Sequence, residues 1–144
     1  MLTMNREMLL RELLRDEGKV PYAYQDHLGY WTIGVGRLID NRKGGRLRDD
    51  EINLMLNNDI TDVYRDLRKA LPWYDKAPER VQRGLYNMCF QMGLSGLLRF
   101  KNTLKLLEQK RYEEAADEAL NSTWAKQTPE RAKRVTDLFR NADK

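Results

Sequence analysis

The chain has 144 residues, of which 41% are hydrophobic and 33% charged, and its formal net charge is +4. A chain of this length and composition buries roughly 68–70% of its unfolded surface, so it can fold around a real core and intrinsic disorder is excluded. Its single cysteine, Cys89, excludes an internal disulfide and a cysteine-based metal cluster, while the modest positive charge favours anionic surfaces without selecting one partner.

The N-terminal segment predicts an amphipathic helix. Apolar residues between Met8 and Leu14 recur at helical spacing after Asn5, a favourable N-cap, and Gly18 is a natural C-terminal stop. Charged residues interrupt the segment every few positions, so it lacks the apolar stretch of a signal peptide, and nothing elsewhere approaches the roughly 20 apolar residues of a membrane span. We therefore expect a protein that is made in the cytoplasm and does not insert stably into a membrane.

The next two segments differ sharply in character. Residues 22–35 are rich in aromatic and β-branched residues, are broken by glycine, and predict a β-hairpin. Residues 37–48 carry five basic side chains against Asp40 alone, and we expect a flexible basic loop or short ribbon. Such a loop is ordinarily a solvated tip, but it could also attract anionic polymers or phosphates, with an affinity that falls as the salt concentration rises. Nucleic-acid binding is not expected, because no recognition helix or stacking motif accompanies the charge.

The remainder of the chain predicts helices. Residues 49–70 have an apolar face, acids in the first turn and bases in the last, and form a helix long enough to connect two lobes. Further helices are expected at about 78–91, 99–108 and 112–121, and Thr128-Pro129 opens a last one with proline at its first position. Trp73 and Trp124 are expected to anchor the core of this region. The predicted fold class is α+β, with a small hairpin-containing N-terminal lobe joined by a long helix to a mainly helical C-terminal lobe.

Three residues of the N-terminal segment are candidates for catalysis. Glycoside hydrolysis needs one carboxyl group that protonates the leaving oxygen and a second that activates water or attacks the sugar. Glu17 ends a helix, where carbonyl dipoles disfavour a negative charge, and neighbouring apolar side chains would desolvate it, so we expect a raised pKa that suits a general acid. Asp26, in a polar turn, should stay ionised, and Thr32 could orient a water molecule. With 22 acidic residues in the chain, the two carboxylates alone do not establish this chemistry.

The motif around these residues, "DEG…Y.D..GY.TIGVG", resembles the active-site segment of the phage-type lysozymes, the family of the T-even phage endolysins. The resemblance continues through "LYNMCFQMG" from Leu85, "FKNTLKLLEQKRYEEAA" from Phe100 and "QTPERAKRV" from Gln127, in the family's order and over most of the chain. It implies one lysozyme-like domain over residues 1–144, with one lobe at about 15–60 and the other formed by 1–14 together with 61–144.

The resemblance also implies an activity and a set of site residues. It implies an endolysin-type muramidase that hydrolyses the β-1,4 bond between N-acetylmuramic acid and N-acetylglucosamine of peptidoglycan with inversion, and that uses no metal or cofactor. Glu17 matches the family's general acid, Asp26 its second carboxylate and Thr32 the residue that positions the attacking water. Arg131 matches an arginine that reaches the catalytic glutamate. The positions expected to bind substrate are Leu38, Phe90, Gln91 and Thr103.

A biological setting follows from the same resemblance. The enzyme would accumulate as a monomer in the host cytoplasm and reach the periplasm and cell wall once a holin has permeabilised the membrane, which leads to host cell lysis. One departure from the family is Arg37, which stands where the family has a histidine after "TIGxG", and residues 37–48 are too few for the family's small extra helix.

Two alternatives remain open. The altered lobe around Arg37 is compatible with a catalytically inactive lysozyme fold that binds the wall or acts as a scaffold, although the joint presence of Glu17, Asp26 and Thr32 argues against it. A lytic transglycosylase would form an anhydro sugar without water and needs no second carboxylate, so Asp26 disfavours that reaction. Analysis of the products of peptidoglycan digestion distinguishes all three.

Overall fold

The computed structural model describes residues 6–25, 31–34, 37–38 and 47–144. The chain forms two compact units, Met1–Met55 and Leu56–Lys144. The lobe boundaries expected from the sequence, at about 15–60 and 61–144 with residues 1–14 returning to the second lobe, stay a prediction.

The first unit begins with α1, which spans Arg6–Glu17 as its apolar spacing predicts. The helix ends where Gly18 adopts a left-handed backbone with φ of 77° and donates its N–H to the Leu14 carbonyl at 3.0 Å. A residue with a Cβ atom would be strained in that conformation. Gly18 therefore stops the helix directly after Glu17 and lets the chain turn into the first strand.

Three strands follow α1, namely β1 (Val20–Gln25), β2 (Trp31–Gly34) and β3 (Arg37–Leu38). They form an antiparallel sheet in the order β1-β2-β3, in which Thr32 of the central strand pairs with Tyr24 on one side and Leu38 on the other. Residues 26–30, where the sequence predicts the hairpin turn, lie outside the described residues, so the complete hairpin stays a prediction. Arg37, expected in a basic loop or ribbon, begins the short strand β3.

The long helix α2 spans Asp49–Ala70, the bounds that its charge and apolar pattern predict. Its first turn is acidic and its last turn holds Arg68 and Lys69, an arrangement that the helix dipole favours. Its apolar residues are covered unevenly, because Leu67 is fully buried whereas Met55 is 53% exposed. The boundary between the two units falls within this helix.

The second unit consists largely of short helices. After a 3₁₀ turn at Tyr74–Lys76, the chain forms α3 (Glu79–Leu98), α4 (Lys101–Glu108), α5 (Tyr112–Leu120), α6 (Thr123–Gln127) and α7 (Pro129–Arg140). The helix predicted to end near Gln91 reaches a kink at Gly93, whose φ of 79° and ψ of 164° are not helical, and a second helical stretch that the sequence did not predict follows to Leu98. Residues 123–127, for which the sequence predicts no helix, form α6, where the Ser122 hydroxyl accepts from the Ala125 N–H at 3.2 Å.

The core of the second unit is formed by α3, α4, α5 and α7 together with the end of α2. In the described part of the chain, every buried hydrophobic residue lies between Leu67 and Phe139. Fully buried side chains such as Leu85, Met88 and Phe139 each stabilise the fold by roughly 1.5–3 kcal/mol relative to an exposed position. Apolar packing within one set of helices therefore accounts for most of the burial that the structure describes.

Close approach and ion pairing hold α7 in this core. At Gly84 of α3, an added Cβ would lie 2.6 Å from the Phe139 ring, so glycine is required for the two helices to meet at this distance. On the outer side of α7, the Arg140 guanidinium donates to Glu113 at 2.7 Å and to Asp117 at 2.6 Å, both on α5. Packing on one side and ion pairs on the other thus fix α7 against its neighbours.

Cys89 and Trp124 occupy the positions that their chemistry predicts. Cys89 is a free thiol that is 4% exposed, and burial raises its pKa, so it packs as a small hydrophobe rather than serving as a nucleophile. Trp124 is 8% exposed and belongs to the hydrophobic core, and the partly buried Trp73 packs against that core. Both tryptophans therefore anchor the second unit as expected.

Candidate active site

The first unit contains the two carboxylates predicted to be catalytic. Glu17 is the last residue of α1, at the carbonyl end of the helix, where the dipole is negative. Asp26 follows directly after Gln25, the last residue of β1, and lies outside the described residues. The approach of the two carboxyl groups to a shared substrate therefore stays a prediction, and so does the distance between them.

Thr32 lies at the centre of the small sheet. Thr32 is 4% exposed, and its backbone pairs with a neighbouring strand on each side. Across the β2–β3 ladder its partner is Leu38, one of the predicted substrate-binding residues. The sheet thus makes the predicted water-positioning residue and a predicted substrate-binding residue direct neighbours on adjacent strands.

An open groove of about 350 Å³ lies in the second unit. Phe90 forms part of its wall and is 43% exposed, which is unusual for so large an apolar side chain in a helix that otherwise supplies the core. The groove also contains Arg131, so it brings together two of the residues predicted from the sequence. Its full lining is Leu56, Ile60, Arg83, Tyr86, Asn87, Phe90, Arg131 and Leu138.

The guanidinium of Arg131 is held in place by Asn87. Arg131 Nε donates to Asn87 Oδ1 at 2.7 Å, and Nη2 donates to the Asn87 carbonyl at 3.4 Å. Sequence reasoning did not single out Asn87, although it lies three residues before Phe90 and so shares its helix face. The contact of Arg131 with Glu17 that the resemblance implies stays a prediction.

Tyr86 lines the groove and carries a buried hydroxyl. Its hydroxyl oxygen is buried and has no hydrogen-bond partner among the described residues. Burial raises the pKa of this hydroxyl, and the nearby Cys89 thiol and the Asp59 and Asp62 carboxylates raise it further. The phenol therefore stays protonated at neutral pH, and its buried hydroxyl lies behind the groove wall that the rest of the side chain helps to form.

Gln91 and Thr103 lie elsewhere in the second unit. Gln91 is half-buried, and its Oε1 accepts from the Trp124 indole N–H at 2.9 Å. Thr103 is 2% exposed and lines a different depression of about 420 Å³, beside Arg99, Lys101 and Glu118. The structure thus places Phe90 and Arg131 in one groove, but it lines that groove with neither Gln91 nor Thr103.

Two searches of the described residues, one for a metal-binding cluster and one for a membrane-spanning helix, found neither. Across 6–25, 31–34, 37–38 and 47–144, no three His, Cys, Asp or Glu side chains come together as a metal site would require. Within the same ranges, no helix is both long enough and apolar enough to cross a membrane.

Comparison with known proteins identifies the family. A family model described as phage lysozyme matches residues 15–141. The chain belongs to the phage lysozyme family. Its resemblance to this family, inferred above from sequence motifs, is therefore confirmed. Membership implies a lysozyme-like fold and glycoside hydrolase activity, and the matched range contains every predicted site residue of this family member.

Relatives of this family member occur in an amoeba and in a phage. The chain is 33% identical to "Probable T4-type lysozyme 1" of Dictyostelium discoideum over 90% of its own length and 92% of that protein. It is 31% identical to "Probable T4-type lysozyme 2" of the same organism over the same shares. It is 30% identical to the pre-baseplate central spike protein Gp5 of Enterobacteria phage T4, over 92% of the chain and 28% of that protein.

Proposed function

We propose that this chain is a muramidase that hydrolyses the β-1,4 bond between N-acetylmuramic acid and N-acetylglucosamine in bacterial peptidoglycan. The observation that carries the proposal is the family match over residues 15–141, which spans Glu17, Asp26 and Thr32 at the motif spacing. Similarity to the T4-type lysozymes over nine-tenths of the chain supports the same reaction.

The proposed reaction is a single displacement with two carboxyl groups. Glu17 donates its proton to the glycosidic oxygen as the bond from that oxygen to the anomeric carbon breaks. A water molecule attacks the anomeric carbon from the opposite face, and Asp26 accepts the proton that this water releases. The hydroxyl of Thr32 orients the water. The displacement inverts the configuration at the anomeric carbon and leaves Glu17 ionised until it is reprotonated from solvent.

The groove of the second unit has the chemistry that a wall saccharide requires. The exposed ring of Phe90 offers an apolar surface to the C–H face of a sugar, and Arg131 offers a cation to the carboxylates of the peptide-bearing wall polymer. Residues 56–144 contain 17 Lys and Arg against 13 Asp and Glu, so they carry the whole net charge of +4. We propose that this unit attracts the anionic wall electrostatically, with an affinity that falls as salt screens the charges.

Digestion of purified peptidoglycan tests the proposed reaction. A hydrolase releases reducing N-acetylmuramic acid ends, and each cut adds one water to the mass of the products. NMR of the first turnovers of a soluble muropeptide substrate should show the α-anomer ahead of mutarotation, as inversion requires. Anhydro-sugar products would instead identify the reaction as lytic transglycosylation. Wall binding without new reducing ends would instead identify an inactive binding module.

We also propose that the enzyme acts as an endolysin and as a monomer. It would accumulate in the cytoplasm of the host and reach the wall only after the membrane has been permeabilised, as a holin does. Bacteria that express the chain should keep their turbidity until chloroform is added and should then lyse within minutes. Lysis before permeabilisation, or intact cells after it, would contradict this setting while leaving the enzymatic proposal to the digestion assay.

A further inference from the structure

A depression of about 540 Å³ lies beside the last turns of α2, in the second unit, and is called the α2 depression below. Several polar side chains line it, three of them basic, and they share one face of the helix because they are three or four residues apart. Its lining includes Tyr64, Arg65, Arg68, Lys69, Pro72 and Asp75. It shares no lining residue with the groove that contains Phe90 and Arg131.

Two neighbours hold the guanidinium of Arg68 in place. Arg68 Nε donates to Asp75 Oδ2 at 2.7 Å, and the Tyr64 hydroxyl donates to Asp75 Oδ1 at 3.0 Å. The guanidinium carbon lies 5.3 Å from the centre of the Tyr64 ring, within the range of a cation–π contact. Tyr64 in turn packs edge-on against the buried Tyr74, with ring centroids 6.1 Å apart. The Arg68 side chain is therefore preorganised although it is 54% exposed.

These contacts leave donors of the α2 depression uncommitted. Nη1 and Nη2 of Arg68 have no hydrogen-bond partner among the described residues, and neither has the ammonium of the adjacent Lys69. Arg65 differs, because its Nη2 lies 3.4 Å from Asp62 Oδ1. The two parallel N–H groups at the end of a guanidinium match two oxygens of one anionic group. Arg68 and Lys69 are therefore the side chains that can bind an anion here.

The charges around the α2 depression favour such an anion. Three cations line it against one carboxylate, Asp75, whose two oxygens already accept hydrogen bonds. Asp62 and Asp66 do not line it. Both lie toward α3, where their charges raise the pKa of Tyr86 and Cys89. The carbonyl end of α2 offsets only about half a unit charge. The lining therefore keeps a net positive charge for a bound group.

The number of donors indicates the kind of anion. A carboxylate has two oxygens, and a bidentate contact with Arg68 uses both of them. A phosphate monoester has three free oxygens, so two can accept from Arg68 and the third from Lys69. The depression also falls within the range of about 300–1,000 Å³ that is typical of small-molecule sites, so it has room for the organic part of the ester.

We propose that the α2 depression binds a phosphate monoester, with Arg68 as its bidentate donor and Lys69 as its second cation. The organic part of the ligand lies on the exposed side of Pro72. The inference goes beyond the hydrolysis proposed above and does not depend on it, because no residue of the α2 depression takes part in that reaction.

An NMR titration of the full chain with glycerol 3-phosphate tests the site. The Arg68 Nε–H signal, identified by its absence from the spectrum of Arg68→Gln, should shift and reach saturation. Acetate should bind about three- to fivefold more weakly, because its two oxygens leave Lys69 without an acceptor. No saturable shift, or equal affinity for acetate and glycerol 3-phosphate, would overturn the inference.

Substitutions separate a built site from general attraction to a basic protein. Arg68→Lys keeps the charge but loses the two parallel donors, so we expect the affinity for glycerol 3-phosphate to fall about tenfold. Lys69→Gln should lower it about two- to fivefold. The matched changes Arg134→Lys on α7 and Lys105→Gln on α4, both at exposed residues outside the depression, should leave it unchanged. Wild-type affinity in both Arg68→Lys and Lys69→Gln would overturn the inference.

Vesicles distinguish two sources of the phosphate monoester. Phosphatidic acid presents a monoester on a lipid surface, whereas phosphatidylglycerol presents a diester with only two free oxygens. Binding to phosphatidic acid vesicles that is lost in Arg68→Lys, with weaker binding to phosphatidylglycerol, would support the site and assign its ligand to a membrane. Binding of glycerol 3-phosphate without binding to either vesicle would support the site and assign its ligand to a soluble molecule.

Discussion

The buried apolar core and the predicted catalytic residues lie in different units of the molecule. In the second unit, α3, α5 and α7 enclose a continuous apolar core, with Leu85 and Phe139 fully buried. In the first unit, the described apolar residues of α1 are partly accessible, with Leu10 50% and Leu13 43% exposed. Yet the residues predicted to carry out catalysis, among them Glu17 at the end of α1, belong to the first unit.

This difference predicts which substitutions lower the stability of the protein and which lower its activity. A residue enclosed by several helices contributes packing that nothing else replaces, whereas a half-exposed side chain loses little when it is shortened. We therefore expect changes in the second unit to lower the free energy of unfolding. Changes at the predicted catalytic carboxylates, Glu17 and Asp26, should abolish activity and leave the unfolding curve nearly unchanged.

The largest loss of stability is expected for Phe139→Ala. The ring is fully buried and contacts α3 at Gly84, so its removal leaves a cavity that rigid helices cannot fill. We expect the free energy of unfolding in urea to fall by about 3–5 kcal/mol. A loss below about 1 kcal/mol would show that the core of the second unit rearranges freely, and the contrast between the units would not hold.

Gly84→Ala should have an intermediate effect. The new Cβ would lie 2.6 Å from a ring carbon of Phe139, so this fully buried ring would have to shift. We expect a destabilisation of about 1–3 kcal/mol from overpacking, measured by the same urea titration. If the clash is the cause, Phe139→Leu should cost less in the Gly84→Ala background than in the wild type, so that the two changes are not additive.

Leu10→Ala should have the smallest effect of this series. Half of the Leu10 side chain is already exposed on α1, and alanine is at least as good a helix former as leucine. We expect the free energy of unfolding to fall by at most about 1 kcal/mol. A loss as large as that of Phe139→Ala would mean that the apolar face of α1 is enclosed in solution, which would break the comparison between the units.

Much of the fold follows from local sequence patterns. The bounds of α1 and α2 agree with their apolar periodicity, their charged ends and, for α1, with Gly18 as a stop. The first regular stretch of α3 ends close to the predicted Gln91, because Gly93 leaves helical geometry, but the sequence did not predict the helical stretch that follows to Leu98. The sequence did not predict the short helix α6, because its five residues are too few to show a periodic pattern.

The roles of the predicted site residues stay predictions, and the structure shows contacts that the sequence did not predict. A motif with a family resemblance named Phe90 and Arg131, and the structure places both in one groove. It did not name Asn87, which holds Arg131, since a single Asn carries no sequence signal for a long-range partner. Trp124 was expected as a core residue. A buried indole N–H needs an acceptor, but only the structure shows that Gln91 supplies it.

The most direct test of the proposed reaction compares Glu17→Gln with Glu12→Gln, a matched change on the same helix. Glutamine keeps the shape of the side chain but cannot give up a proton to the glycosidic oxygen, so we expect Glu17→Gln to reduce the release of reducing ends from peptidoglycan by about 10²–10⁴-fold. Glu12→Gln should retain wild-type activity, and both variants should unfold at the wild-type urea concentration. Glu17→Gln that digests peptidoglycan within a fewfold of wild type would contradict the account.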